Sequence, residues 1–228
     1  MPLISLSPNI DINIDKLATR LGGKKQQDFS YAVSEKITMF TEKMSRMLSP
    51  HLYYQTIKVD SVNNGEIELS GGITFFSIKL SKVMKECSEA VCFVATIGKD
   101  IDREIIRMME QKHLSDAFVL DAIGSLLVES IVNDFWKKMK IKHQKAGRVV
   151  SLRFSPGYCD WSIEEQKKLF QFLDLNPVFV KLSHSCLMSP RKSISGIFGI
   201  SYPHTTHFVE AYNPCKNCHK KDCNERRV

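Results

Sequence analysis

Between residues 116 and 141, Leu120, Ile123, Leu127, Ile131, Phe135 and Met139 recur at steps of three and four. That spacing predicts one long helix with a broad apolar stripe, because side chains three or four positions apart share a helix face. A stripe of that length needs an equally extended surface to cover it. The chain has the means, since 43% of its 228 residues are hydrophobic and a chain of this size buries a sizeable core. Asp121, Glu129, Asn133 and Asp134 interrupt the apolar run at 117–136, so the helix belongs to a core and not to a membrane.

Strand signals lie on both sides of this helix in the sequence. Residues 54–62 and 67–76 have strand character on either side of Asn63-Asn-Gly65, a strong hairpin turn. Residues 90–97 read as a buried strand stopped by Gly98, and 193–201 and 206–212 as further strands. Helices are expected over 77–85 and 100–111. Ser162-Ile-Glu-Glu165 has a capping-box pattern that starts another helix running to about Leu173. Residues 10–21 are weakly periodic, and 29–48 form a helical pattern with Ala32, Val33, Ile37, Phe40 and Met44 on one face. Strands and helices mix without regular βαβ alternation, which gives an α+β class. The expected divisions are a peripheral helical extension (1–52), an α+β domain (53–213) and a cysteine-rich basic tail (214–228).

Residues 1–8 lack the basic region and apolar length of a signal peptide, so a cytoplasmic protein is expected. There the seven cysteines are more naturally thiols or metal ligands than disulfides. The formal charge of +7 is spread over Lys137, Lys138, Lys140, Lys142, Lys145 and Arg148, and again over 216–227. No nucleic-acid motif or interleaved aromatic set accompanies it. An acidic protein partner matches such a surface, and so does a plain solvated helix end.

The chemistry concentrates at Arg153-Phe-Ser-Pro-Gly-Tyr-Cys-Asp-Trp161. An arginine leaving an apolar β-branched run into a Pro-Gly turn can present its guanidinium beside exposed backbone amides. That pairing suits a carboxylate-bearing ligand, because guanidinium and carboxylate meet in a two-pronged, charge-assisted geometry. A structural strand-to-helix connection with a solvated arginine is the plainer alternative.

The order Arg153-x-x-Pro-Gly-Tyr158, Lys181-Leu-Ser-His-Ser185 and Ser193-Ile-Ser-Gly196, preceded by Leu120-Asp-Ala-Ile-Gly-Ser125 and Glu129, resembles the activation domain of cobalamin-dependent methionine synthase. The resemblance is strong over 115–210, weak before about residue 55, and nearest to short free-standing relatives. It implies a curved, mainly antiparallel sheet flanked by helices, and S-adenosylmethionine as ligand. It also implies the site: Arg153 on the ligand carboxylate, the backbone of Phe154 and Ser155 with Gly157 along the ligand, Tyr158 toward the corrinoid, and Ser195 and Phe198 on the far side. The role implied is reductive remethylation of oxidised cobalamin by an accessory subunit that is not a complete enzyme alone. The implied partners are a cobalamin-binding methyltransferase module and a flavodoxin- or ferredoxin-like reductant. Two positions depart from the family pattern: Phe198 replaces a tyrosine, and Leu182-Ser-His-Ser185 replaces Leu-Thr-Glu-Ser.

Cys215, Cys218 and Cys223 place three thiols within nine residues. Thiolates at such spacing reach one soft metal, zinc or an iron–sulfur cluster. Cys159 in the ligand loop is the favoured fourth ligand, with Cys186 and His219 as alternatives; a basic tail of simple thiols is the plainer reading. The C-x3-C-x2-C spacing of radical S-adenosylmethionine enzymes is absent. Two further functions therefore compete with the first: an iron–sulfur redox activator of a corrinoid protein, and a zinc-stapled interaction module.

Overall fold

The computed structural model describes residues 3–5, 12–23, 29–173, 180–202 and 215–216. Its elements run β1 (Leu3–Ser5), α1 (Ile14–Arg20), α2 (Tyr31–Met47), β2 (His51–Asn63), β3 (Glu66–Leu69), β4 (Ile73–Phe76) and α3 (Ile78–Met84). They continue with β5 (Cys87–Thr96), α4 (Asp100–Glu110), α5 (Leu114–Gln144), a 3-10 turn (Ile163–Glu165), α6 (Gln166–Leu173), β6 (Lys181–Leu182), β7 (Met188–Ser189) and β8 (Ser193–Ser201). The class is α+β: an antiparallel sheet of order β4-β3-β2-β5-β8, with β1 also paired to β2, flanked by helices. Among the described residues no helix is long and apolar enough to cross a membrane.

Strand β5 is the centre. Its residues alternate between two cores, as side chains of a strand must. Val91, Phe93 and Ala95 pack with the α5 stripe, while Ala90, Cys92 and Val94 pack with Leu69, Phe75, Trp161 and Leu169. All six stripe residues predicted for α5 are buried. Cys87 and Cys92 are core residues, and burial pushes both thiols up to about 12.

Two expectations change. The single strand over 67–76 is two strands, β3 and β4, because Gly71 and Gly72 take φ of 88° and 80° and turn the chain back. The described helices of the first fifty residues, α1 and α2, are not peripheral: Leu17, Ile37, Phe40 and Met44 are buried in the same core as α5. Their stripe is short, which hid its depth. The strand expected over 206–212 lies outside the described residues.

Helix α2 is tied to α4 by Glu104, which accepts from Lys43 Nζ at 2.5 Å and from Arg107 Nη2 at 2.6 Å and Nε at 2.8 Å. The Arg107 hydrogen bonds, with Lys43 beside them, hold the Glu104 carboxyl down to about 2. A depressed carboxyl contributes stability that is complete above the ordinary glutamate range of about 4.3 and is lost as pH falls toward the folded value. Thermal melts should therefore show Glu104→Gln less stable than wild type at pH 7. The gap should close as the pH approaches 2; a gap independent of pH would contradict this account.

Candidate functional site

The loop from Arg153 to Trp161 is built on β8. Phe154 exchanges both backbone hydrogen bonds with Ile197, each 2.8 Å. Opposite it, a Cβ on Gly196 would lie 2.5 Å from the Phe154 oxygen, so only glycine permits this approach. The loop then closes on itself through Tyr158 N–H to Ser155 O (3.2 Å), Trp161 N–H to Tyr158 O (3.1 Å) and Gly157 N–H to Trp161 O (2.8 Å). Gly157 takes φ of 88° and Cys159 of 57°. Pro156 is buried, Ser155 half-buried, and Gly157, Tyr158 and Cys159 are exposed at the tip. Trp161 is buried and meets the Phe75 ring edge-on, with centroids 5.4 Å apart.

Two carboxylates clasp this loop to the junction of β4 and α3. Asp160 Oδ1 accepts from Ser77 Oγ at 2.7 Å, and Asp160 Oδ2 from the Lys79 amide at 3.2 Å. Ser77 is itself the α3 cap, accepting from the Leu80 amide at 2.9 Å. Glu165 accepts from the Phe76 amide at 3.1 Å and from Lys168 at 2.7 Å. The expected reciprocal capping box is thus half formed. Ser162 accepts from the Glu164 amide at 3.2 Å, but Glu165 turns to the strand end. The edge of β4 offers Glu165 an unpaired amide of the sheet, a better donor than a solvated cap. The element starts as a 3-10 turn and becomes α6 at Gln166.

Arg153 points to α5. Its Nη2 donates to Asn133 Oδ1 at 2.8 Å and to Glu129 Oε2 at 3.3 Å. Those two oxygens lie one helical turn apart, on a half-buried polar ridge that runs Asp121, Ser125, Glu129, Asn133 at steps of four. The upper half of the ridge holds Lys192, whose Nζ is 2.7 Å from Asp121 Oδ1 and 3.0 Å from Ser125 Oγ. A Cβ on Gly124 would lie 3.3 Å from Lys192 Cε, so the glycine makes room for the lysine stem. The Leu120-Asp-Ala-Ile-Gly-Ser125 motif is in this respect a seat for Lys192.

The expected site residues do not all face one space. Arg153 lies against α5, whereas Phe154 packs in the core on the other side of the sheet. Ser195 is buried and accepts from Gln166 Nε2 at 3.0 Å. Phe198 is fully buried, its ring 5.9 Å from that of Phe135 and 6.1 Å from that of Phe93. Ser195 and Phe198 are three residues apart on a strand, and an odd step puts their side chains on opposite faces. The Phe198 ring thus belongs to the α5 core and does not line a surface with Ser195. Asn133, Asp160 and Gln166 were missed. Only Asn133 left a signal in the sequence, its place four residues beyond Glu129.

Of the expected metal ligands, Cys218 and Cys223 lie outside the described residues, as does His219. Cys159 is exposed, Cys215 half-buried and Cys186 buried in the β6–β7 turn with φ of 61°. Among the described residues no three His, Cys, Asp or Glu side chains are disposed to hold a metal ion.

A helix-flanked antiparallel sheet carrying an arginine loop on β8 has the fold of a reactivation domain. The crystal structure of the MetH reactivation domain bound to AdoHcy matches with a TM-score of 0.67 at 16% identity, over 91% of this chain and 80% of that chain. The chain belongs to the family of the vitamin B12 dependent methionine synthase activation domain, whose model matches residues 76–223. No curated protein matches it in sequence.

Removing the Asp160 carboxylate frees the loop from α3. Asp160→Ala should lower unfolding stability by about 1–2 kcal/mol, the scale of hydrogen bonds to a charged group, in urea titrations. Asp160→Asn, which keeps an acceptor for Ser77, should recover part of that loss. Equal loss in both variants would mean that the clasp does not act through hydrogen bonding.

Proposed function

We propose that this protein is a reactivation factor for a cobalamin-dependent methyltransferase of the methionine synthase type, and that it binds S-adenosylmethionine at the Arg153 loop. The observation that carries the reading is the Arg153 guanidinium, held beside the Glu129 carboxylate at the root of an exposed Pro-Gly loop. A cation and an anion side by side complement the carboxylate and ammonium of an amino-acid end group. The solved relative holds AdoHcy, which carries such an end group, and that supports extending the ligand class to this chain.

When bound, S-adenosylmethionine supplies an electrophilic methyl group for a reduced cobalt carried by a partner module. The protein's own part is to bind and orient. Arg153 takes the carboxylate, the Glu129 carboxylate lies toward positive charge on the ligand, and the backbone at Phe154, Ser155 and Gly157 follows its length. Tyr158, half exposed at the loop tip, faces outward, where a corrinoid module would approach. The basic surface fits an acidic cobalamin module or an acidic reductant of the flavodoxin or ferredoxin kind, since opposite fields speed encounter.

Anaerobic calorimetric titration with S-adenosylmethionine tests the reading. Saturable binding is expected, weakened by about 2–3 kcal/mol in Arg153→Ala, the scale of a charge-assisted pair. Decarboxylated S-adenosylmethionine should bind wild type about as poorly as the intact ligand binds the variant. An absence of binding at millimolar ligand, or an unchanged affinity in Arg153→Ala, would overturn it.

A further inference from the structure

We propose that Asn133 is a positioning residue for Arg153, and that its lack of charge keeps the guanidinium available to a ligand carboxylate. The inference rests on the assignment of Arg153 to that carboxylate. It comes from comparing the two cations seated on one ridge of α5. Each meets a carboxylate and, four residues further along, a neutral oxygen, but the two pairs of contacts are weighted in opposite ways.

At Lys192 the carboxylate is the close partner, Asp121 at 2.7 Å, and the Ser125 hydroxyl stands at 3.0 Å. The lysine side chain is 8% exposed, a nearly enclosed and neutralised pair with a structural role. At Arg153 the order is reversed. The neutral Asn133 oxygen is the close partner at 2.8 Å and the Glu129 carboxylate the distant one at 3.3 Å. The arginine side chain is also more open, at 15%.

An amide oxygen fixes the direction of a guanidinium N–H without cancelling its charge. A second carboxylate in that place would fix it equally well, but would compete for the same cation. The amide orientation is determined by chemistry: the guanidinium only donates, so the oxygen and not the NH2 must face it. Asn133 therefore aims Arg153 without adding a second negative charge beside Glu129.

Asn133→Asp tests this, because it keeps size and acceptor and changes only charge. In calorimetric titration of the full chain, S-adenosylmethionine affinity should fall by about tenfold, the scale of one partly screened charge. Asn133→Ser, which keeps a neutral oxygen, should stay within about threefold of wild type on the same scale. The melting temperature of Asn133→Asp should hold or rise, since the new carboxylate pairs with Arg153. A purely structural asparagine would not lower affinity while preserving stability. Wild-type affinity in Asn133→Asp, or equal losses in Asp and Ser variants, would overturn the proposal and leave the ligand assignment standing. Failure of wild type to bind S-adenosylmethionine, or of Arg153→Ala to weaken it, would remove the ligand assignment and this inference together.

Discussion

Strand β5 is hydrogen-bonded on both edges, to β2 and β8, and buried on both faces. The rest of the molecule is arranged by it. One face takes the stripe of α5 and the helices packed around it; the other takes the smaller core under the Arg153 loop. Because β8 is paired along nine positions of β5, the loop built on β8 inherits the rigidity of the sheet centre. The polar ridge of α5 faces Lys192 and Arg153 from the same frame. The candidate site is thus held between two elements that share one core.

Much of this was legible in the sequence. The apolar steps of α5, the buried run of β5, the Asn-Gly hairpin and the bounds of β8 follow from periodicity and turn chemistry, which are local. The misses share a different cause. Gly71 and Gly72 split a strand because both take positive φ, and a glycine pair does not announce that by itself. Glu165 left its capping box for the Phe76 amide, a partner 89 residues away. The burial of Leu17 and Met44 depends on α5, which lies far along the chain. Local signals named the elements; long-range contacts decided what their polar atoms do.

For the site, the sequence supplied the motif and the structure supplied its sidedness. Strand alternation places Ser195 and Phe198 on opposite faces, a rule that needs only the register of β8. That register could be applied only once β8 had been placed between two cores. The family and the fold agree with the resemblance read from the residues. What the motif alone did not contain is the helix behind the arginine, where Glu129 and Asn133 set its direction and its effective charge.

The clasp of Asp160 and Glu165 on the β4–α3 junction has a consequence for modularity. The Arg153 loop looks like a contiguous cassette of nine residues, yet its shape is written partly in Ser77 and Lys79, some eighty positions earlier. A graft of the loop into another scaffold would carry the motif without its mould. Drift at the β4–α3 junction would in turn reshape the loop as surely as substitutions within it. Descent with change in this fold should therefore treat the two distant segments as one heritable unit.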